Sequence, residues 1–375
     1  MKIAILTLPI HGNYGGCLQN YALNCILRNY GFQSFTIDYK IQKHQRVKSA
    51  VFRVMRMLGF GYFMKWISLL NPKLAFLYYL RDFADKHIPL SKVYKTKAEL
   101  EELSNNLNAV IVGSDQVWRY IFIYDDVDTY FLDFVKNTNT TRIAYAASLG
   151  VDYNEFPDRE LERIRCLYTK FDAVSVREKS AVQLIKNCWN GENAKHVLDP
   201  TMLLPASTYR DIYKTADIGI LPERNLFYYI LDINAKKRCF IDEFAKKKSL
   251  LPYTIYSDNR KDLKKYIKKG FSSKIEQWLA CFDGADYVIT DSFHGCVFCI
   301  LFNKQFFVLV NRERGLDRFK SLLSQFDLES RMIDDPERID VTTLSSIPDI
   351  DYEIVNRILD EEREKSISFL KKSLS

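Results

Sequence analysis

Short, continuous apolar runs alternate with amphipathic helical patterns along nearly all of the 375-residue chain, and this alternation restricts its fold more than any other feature. Apolar runs without a polar residue at every second position are typical of parallel strands, which are buried on both faces. Helices between such strands indicate βαβ units and therefore an α/β protein with parallel sheets. The expected strands are 3–8, 32–39, 109–112, 143–147, 173–176, 196–198, 226–233, 253–256, 287–290 and 306–310.

The segment Asp199–Pro205 divides this series in two. It contains two prolines, and a new succession of strands and helices follows it. We therefore expect two Rossmann-like domains facing a cleft, formed by residues 1–204 and 205–345, and a C-terminal helix within residues 346–375. Ligands of such folds bind beyond the carboxyl ends of the strands, so the segments that follow strands are the candidates for chemistry.

Composition excludes several classes of protein. A chain with 47% hydrophobic and 27% charged residues is not intrinsically disordered, and eight cysteines are too few for a disulfide scaffold. The N-terminus is typical of a first strand and not of an export signal, so we expect a cytoplasmic protein with reduced thiols. Cys296 and Cys299 form a C-x-x-C pair without a second ligand pair nearby, which predicts two buried helix cysteines and no metal.

One stretch departs from the α/β pattern. Residues 40–81 contain nine lysines and arginines, no acidic residue, and many aromatic and methionine side chains between them. This composition predicts a basic amphipathic insertion, over about residues 40–85 of the first domain, that contacts the anionic inner face of the cytoplasmic membrane. The alternative is an insertion whose apolar side packs on the first domain. Nucleic acid is not an expected partner, because no nucleic-acid-binding motif accompanies the charge.

A glycine-rich turn follows the first expected strand. Asn13, Gly15 and Gly16 stand at the start of a helix, and the backbone N–H groups of a helix N-terminus can bind an anion. The turn is neither G-x-G-x-x-G nor a P-loop, so it does not predict a dinucleotide or a nucleoside triphosphate.

Polar side chains and an indole follow the strand at 109–112. They are Ser114, Asp115, Gln116 and Trp118. A sugar needs hydrogen bonds to its hydroxyls and can stack its face on an aromatic ring, so this segment predicts a sugar-binding site. The alternative is that Ser114 or Asp115 caps a helix.

Arg177 and His294 stand between a strand and a helix. Arg177 can bind a carboxylate or phosphate through two hydrogen bonds, or it can form an ion pair with Glu178 or another acid. His294 is expected between a strand and a helix N-terminus, so it is a candidate general acid or base. The alternative for His294 is a structural role.

Several of these motifs together resemble the polysaccharide pyruvyl transferase family. The matching blocks are NYGGCLQNYAL, VIVGSDQVWR, YFLDFV, RIAYAASLG, AVSVREKSA, VLDPTMLL and ADYVITDSFHG, in the order of the family. The resemblance implies transfer of the enolpyruvyl group of phosphoenolpyruvate to a sugar of a bacterial surface polysaccharide precursor. A pyruvate ketal forms and phosphate is released. It also implies a GT-B-like fold, a C-terminal helix that returns to the first domain, and acceptors linked to polyprenyl diphosphate at the membrane.

The resemblance also implies roles for single residues. Arg177 matches the arginine of the S-V-R motif, which holds phosphoenolpyruvate, and His294 matches the histidine of the R-x-H motif. In such a reaction His294 would supply or remove a proton, and Asp291 or Asp115 would orient it or bind the sugar. Ser292 stands where many members have the motif arginine, so Arg312, Arg314 or Lys304 would replace that charge. The expected site comprises His294 and Asp291 as catalytic residues; Arg177, Gly15, Gly16, Ser292, Arg312 and Arg314 for the donor; and Asn13, Ser114, Asp115, Gln116 and Trp118 for the acceptor. No cofactor is implied.

Two other functions remain open from the sequence. A GT-B glycosyltransferase would use a nucleotide sugar, with His294 contacting the donor diphosphate and Asp115 acting as base. A non-catalytic member would bind glycans within a polysaccharide assembly complex, and Ser292 in place of the motif arginine favours this reading.

Overall fold

The computed structural model describes residues 1–10, 12–39, 71–216, 218, 221–255, 273–310, 315–334, 344 and 347–375. The chain forms two compact units, which divide between Leu204 and Pro205. The first unit comprises Met1–Ala50, Arg81–Leu204 and Leu359–Ser375, and the second comprises Val51–Leu80 and Pro205–Ile358.

The first unit is built on a seven-stranded, fully parallel sheet. Its central strands are continuous apolar runs whose side chains are buried on both faces, as in AVIV at 109–112. The prediction of parallel strands is therefore confirmed. The strands are β1 (Lys2–Leu6), β2 (Gln33–Tyr39), β3 (Leu90–Tyr94), β4 (Ala109–Val112), β5 (Thr141–Ala147), β6 (Ala173–Val176) and β7 (Lys195–His196), in the spatial order β3-β2-β1-β4-β5-β6-β7.

Helices connect these strands, and local sequence signals begin and end several of them. Thr96 and Glu99 form a capping box at the start of α3. Asn190, in the left-handed conformation at φ 59°, ends α7. The helices are α1 (Tyr14–Asn29), α2 (Pro72–His87), α3 (Lys97–Ser104), α4 (Tyr120–Ile123), α5 (Val127–Tyr130), α6 (Asp158–Tyr168) and α7 (Lys179–Trp189), followed by a 3₁₀ turn at Pro200–Leu203. Helix α2 belongs to this unit from Arg81 onward, and its residues up to Leu80 belong to the second unit.

The second unit has a five-stranded parallel sheet of the order β12-β11-β10-β8-β9. Helix α11 is buried along its whole length and contains Cys296 and Cys299, as the sequence predicts for two buried helix cysteines. The strands are β8 (Asn225–Tyr229), β9 (Leu251–Tyr253), β10 (Tyr287–Thr290), β11 (Gln305–Leu309) and β12 (Met332–Ile333). The helices are α8 (Ala206–Tyr213), α9 (Ala235–Lys248), α10 (Ile275–Asp283), α11 (Phe293–Leu301), α12 (Leu316–Gln325) and α13 (Tyr352–Ser373), with a 3₁₀ turn at Glu329–Arg331.

Helix α13 contributes to both units. Near its start, the hydroxyl of Tyr352 donates to the carbonyl of Cys299, 3.3 Å away in the second unit. Near its end, Ser366 Oγ accepts a hydrogen bond of 2.9 Å from the backbone N–H of Leu198 in the first unit. The last residues of the chain thus complete the polar contacts of the first unit.

Most of the segment predicted to contact a membrane, residues 40–70, lies outside the described residues, so that prediction stays a prediction. At the end of the segment, Arg81 is buried and pairs with Asp38 at 2.9 Å and with Asp85 at 2.8 Å. For Arg81 the prediction is wrong, because its guanidinium holds α2 against β2 and cannot reach lipid. No helix in the described ranges combines the length and the apolar character that crossing a bilayer requires.

Candidate active site

The motif at residues 290–295 lies at the carboxyl edge of the second sheet, where β10 meets α11. Ser292 is the N-cap of α11, and its Oγ accepts a hydrogen bond of 3.3 Å from the backbone N–H of Gly295. Thr290 Oγ1 accepts from the N–H of Ser292 at 3.1 Å and donates to the carbonyl of Tyr229 at 2.8 Å. A Cβ atom on Gly295 would lie 2.3 Å from Thr290 Oγ1, so only glycine fits. These contacts fix the turn that carries His294.

His294 occupies the first turn of α11, and only 5% of the residue is exposed. Its ring lies edge-on to that of Phe293, with 5.3 Å between the centroids. The predicted placement of His294 between a strand end and a helix N-terminus is therefore observed, and a ring held in this way can exchange a proton with a ligand at the sheet edge.

Asp291 is buried and stabilises the structure around the end of β8. Its Oδ1 accepts from the backbone N–H of Leu231 at 2.6 Å, and its Oδ2 accepts from the N–H of Asp232 at 3.3 Å. Oδ2 also pairs with Lys237 Nζ at 2.7 Å. Both carboxylate oxygens are thus bound to the turn after β8 and to α9, so the contacts are those of a structural ion pair and not of a catalytic carboxylate that orients His294.

The sequence reasoning missed Arg318 at this edge. Arg318 lies in the first turn of α12, 8% of it is exposed, and its guanidinium lies 5.9 Å from the centre of the Phe293 ring. The available signal is its position in the helix: Leu322 is one turn further on and buried, so the arginine lies on the apolar face of α12. A buried arginine next to a candidate catalytic residue suggests a role in binding an anion.

None of the three residues that the sequence suggested as substitutes for the motif arginine is seen near His294 in the described part of the structure. Arg312 and Arg314 lie outside the described residues. Lys304 directly precedes β11 and therefore lies at the amino edge of the sheet, opposite to His294. Burial lowers the pKa of its ammonium group. The suggestion that Lys304 replaces the motif arginine is wrong, because a residue before a parallel strand cannot reach the edge where that strand ends.

In the first unit, Arg177 is the centre of a buried ion-pair network. It donates to Asp199 Oδ2 at 2.8 Å and to Glu178 Oε1 at 3.3 Å. Burial lowers the pKa of the guanidinium, but Glu178, Asp199 and Asp115 together raise it further, so the pKa lies above its usual value and the group stays charged. The structural ion pair that the sequence left open as an alternative is thus present.

The same network joins motifs that are far apart in the sequence. Gln19 Nε2 donates to Asp199 Oδ2, and Thr201 Oγ1 donates to Asp199 Oδ1 at 2.6 Å. Ser148 Oγ donates to Glu178 Oε1 at 2.6 Å. One set of hydrogen bonds therefore joins four segments of the first unit. They are helix α1, which follows the glycine-rich turn, the loop after β5, residues 175–178 and residues 199–201.

Asp115 lies at the N-terminus of α1. The N-cap Asn13 accepts a hydrogen bond of 2.9 Å from the N–H of Gly15, and a Cβ atom on Gly16 would lie only 3.0 Å from Asp115 Oδ2. The positive end of the helix dipole stabilises this carboxylate. The structure therefore brings Asn13 and Asp115 together, and it places a carboxylate where the sequence predicts that Gly15 and Gly16 bind the donor.

Trp118 is not a surface for sugar stacking. Only 1% of the residue is exposed, its Nε1 donates to the carbonyl of Tyr130 at 3.2 Å, and its ring stacks on Phe131. The prediction is wrong for this residue, because the segment after β4 turns its apolar side into the core. Ser114 is buried as well, and Gln116 Oε1 accepts from Arg119 at 3.1 Å.

Comparison with known structures places the chain among two-domain α/β proteins. The UDP-GlcNAc 2-epimerase of Neisseria meningitidis, solved with UDP-GlcNAc, superposes with a TM-score of 0.54 at 10% identity, covering 99% of this chain and 100% of that chain. A glycosyltransferase of Rickettsia africae gives a TM-score of 0.49 at 11% identity, covering 100% of this chain and 96% of that chain. The predicted class, an α/β fold with two Rossmann-like domains, is confirmed.

A family model identifies the chain more narrowly. The model of the polysaccharide pyruvyl transferase family matches residues 13–313, and the protein belongs to that family. It is therefore a transferase. No curated protein sequence matches the chain.

Proposed function

We propose that the protein transfers the enolpyruvyl group of phosphoenolpyruvate to a sugar of a lipid-linked precursor of a bacterial surface polysaccharide. The observation that carries this proposal is the placement of His294 and the buried Arg318 around Phe293 at the carboxyl edge of the second sheet. Membership of the polysaccharide pyruvyl transferase family supports the choice of reaction.

Charge favours the second unit as the donor site. The donor carries a carboxylate and a phosphate. Arg318 is a cation against the ring of Phe293, which follows Ser292, the residue that stands where many family members have arginine. In the first unit, one guanidinium, Arg177, faces the carboxylates of Glu178, Asp199 and Asp115. These carboxylates would repel an anionic donor.

The reaction needs three proton transfers and no change of oxidation state. His294 protonates the methylene carbon of the donor, and C2 gains oxocarbenium character. A sugar hydroxyl then adds to C2 and releases its proton to the now neutral imidazole of His294. Phosphate then leaves, and a second hydroxyl of the same sugar adds to C2 and closes the ketal, releasing its proton to the departing phosphate or to solvent. Arg318 stabilises the negative charge on the leaving phosphate.

The first experiment is a thermal-shift titration with phosphoenolpyruvate, UDP-galactose and GDP-mannose in parallel. A ligand at 100 times its dissociation constant stabilises the folded protein by about 2.7 kcal/mol. We expect a shift with phosphoenolpyruvate alone. A shift with a nucleotide sugar alone would replace the proposal with a glycosyltransferase, and no shift with any donor would favour a non-catalytic glycan-binding member.

The role of His294 is tested by phosphate release in the presence of a lipid-linked oligosaccharide fraction. We expect His294→Ala to lower turnover by about 10²- to 10⁴-fold, as for loss of a general acid or base. A loss of less than about threefold would contradict a role in proton transfer.

A further inference from the structure

Four exposed apolar side chains lie in two neighbouring segments of the first unit. Their exposed fractions are 51% for Ile121, 46% for Phe122, 60% for Tyr124 and 59% for Tyr153. We call these four residues the aromatic ledge. Contiguous exposed apolar groups on a soluble protein generally indicate a contact surface.

The two segments of the aromatic ledge are held together by packing and by an ion pair. The guanidinium of Arg119 lies 5.2 Å from the centre of the Phe122 ring, and its Nε pairs with Glu155 at 3.4 Å. Below them, the rings of Tyr120 and Phe156 pack with centroids 5.1 Å apart. The exposed rings therefore stand on an ordered base.

The aromatic ledge also adjoins the candidate acceptor residues. Its segments follow β4 and β5, which are neighbours in the sheet, so both leave the carboxyl edge at the same place. The loop between Asp115 and Arg119 connects the two sites directly, and Gln116 Oε1 accepts from Arg119 at 3.1 Å. A chain-like ligand at Asp115 could thus continue over the exposed rings.

The charge around the aromatic ledge restricts what it can bind. Asp125 and Asp152 are exposed beside it, and the hydrogen bond from Tyr124 to the Asp125 carboxylate raises the pKa of the Tyr124 hydroxyl. Arg119 is paired with Glu155. This surface repels anionic lipid and nucleic acid, and it favours a neutral ligand that has both apolar faces and hydroxyl groups.

We propose that the aromatic ledge binds uncharged sugar units of the acceptor glycan that adjoin the sugar to be modified. Sugar rings would stack their C–H faces on Phe122, Tyr124 and Tyr153, and their hydroxyls would bond to Gln116 and to the Arg119–Glu155 pair. This inference rests on the proposed function, since it assumes a glycan acceptor. It makes the enzyme selective for the chain around the modified sugar as well as for the sugar itself.

Saturation-transfer NMR with cellotetraose, mannotetraose and β-1,4-galactotetraose tests the proposal on the full-length protein without a donor. We expect at least one tetrasaccharide to bind, and the double variant Phe122→Ser, Tyr124→Ser to weaken that binding by about five- to tenfold. The conservative variant Phe122→Tyr should keep it. Leu251→Ser is the matched control, because Leu251 is 61% exposed and belongs to the second unit, whereas the aromatic ledge belongs to the first.

Two results would overturn the proposal: binding that the double variant retains, or no binding of any of the three tetrasaccharides to the unchanged protein. A change from dimer to monomer in the double variant, seen by sedimentation, would instead assign the surface to a second copy of the chain. The thermal shift with phosphoenolpyruvate reports on donor binding alone. If that shift is present but no tetrasaccharide binds, the glycan surface is wrong and the proposed reaction is not. If the shift is absent, the proposed reaction itself fails.

Discussion

Arg318 is the residue on which the donor site can be tested most directly. We expect Arg318→Gln to raise the dissociation constant for phosphoenolpyruvate by about 10- to 100-fold, because hydrogen bonds to a charged group contribute about 1.5–3 kcal/mol. Isothermal titration calorimetry measures this constant. The control is Arg210→Gln, since Arg210 is a half-exposed arginine of the same unit that pairs with Asp283. An unchanged constant in Arg318→Gln would remove Arg318 from the donor site.

A variant of Arg177 can distinguish a structural role of this residue from a role in binding the donor. Its guanidinium is 2% exposed and compensates the buried carboxylates of Asp199 and Glu178. We expect Arg177→Met to lower the free energy of unfolding by about 3–5 kcal/mol, because it leaves buried charge without a partner. Urea denaturation measures this change. Unchanged stability together with lost phosphoenolpyruvate binding would instead support the donor role that the family resemblance implies.

Single residues show where sequence reasoning succeeds and fails. His294 could be located because a strand, a polar turn and an apolar helix follow one another in the sequence. The role of Trp118 could not be predicted in this way. An indole after a strand can stack on a ligand or on a core residue such as Phe131, and only the three-dimensional packing decides between them. Arg318 was missed because it lies within a helix and far from any motif.

At the scale of elements, apolar composition located the central strands and failed at the edges. Strands β4 and β6 have the predicted bounds because β4 is buried from end to end and β6 is buried in all but its first residue. Edge strand β3 was missed, since LSKVY lacks a continuous apolar run. The strand expected at 226–233 ends at Tyr229, because the N–H groups of Leu231 and Asp232 bond to Asp291 and not to a neighbouring strand.

The start of helix α11 depends on the absence of a side chain at Gly295. We expect Gly295→Ala to destabilise the protein by about 1–3 kcal/mol, because its Cβ would overlap Thr290 Oγ1. Thermal or urea unfolding measures the loss. In the double variant with Thr290→Ala the loss should be smaller than the sum of the single losses, and simple additivity would contradict the proposed overlap.

The predicted membrane contact of the basic segment, residues 40–81, can be tested through its charge. We expect replacement of Lys43, Arg46 and Lys48 by Gln to weaken binding to vesicles that contain anionic lipid by about 10²-fold, since each basic residue contributes about 1 kcal/mol at such a surface. Co-sedimentation measures the bound fraction. The control is replacement of Lys246, Lys247 and Lys248 by Gln, which removes the same charge from the end of α9, outside the basic segment. Equal loss in both triple variants, or binding that does not depend on anionic lipid, would contradict a specific membrane role.

At the scale of the whole molecule, α13 is needed by the first unit. We expect deletion of Leu359–Ser375 to reduce hydrogen-exchange protection in β6 and β7 while β10 stays protected, because Ser366 and Arg363 bind the segment after β7 through Leu198 and Met202. Mass spectrometry of exchanged peptides measures this difference. Equal loss of protection in both sheets would show that the helix stabilises the two units alike.

This arrangement has a consequence for how the protein is made. The ribosome has made every described strand of the first sheet by the time it reaches residue 200. The N–H of Leu198 and the carbonyl of Met202, however, bond to Ser366 and Arg363, which are made much later. Domains generally fold in the order in which they leave the ribosome. Here the domain whose strands are made first still lacks the partners that Arg363 and Ser366 supply, at a stage when the described strands of the later domain have already been synthesised.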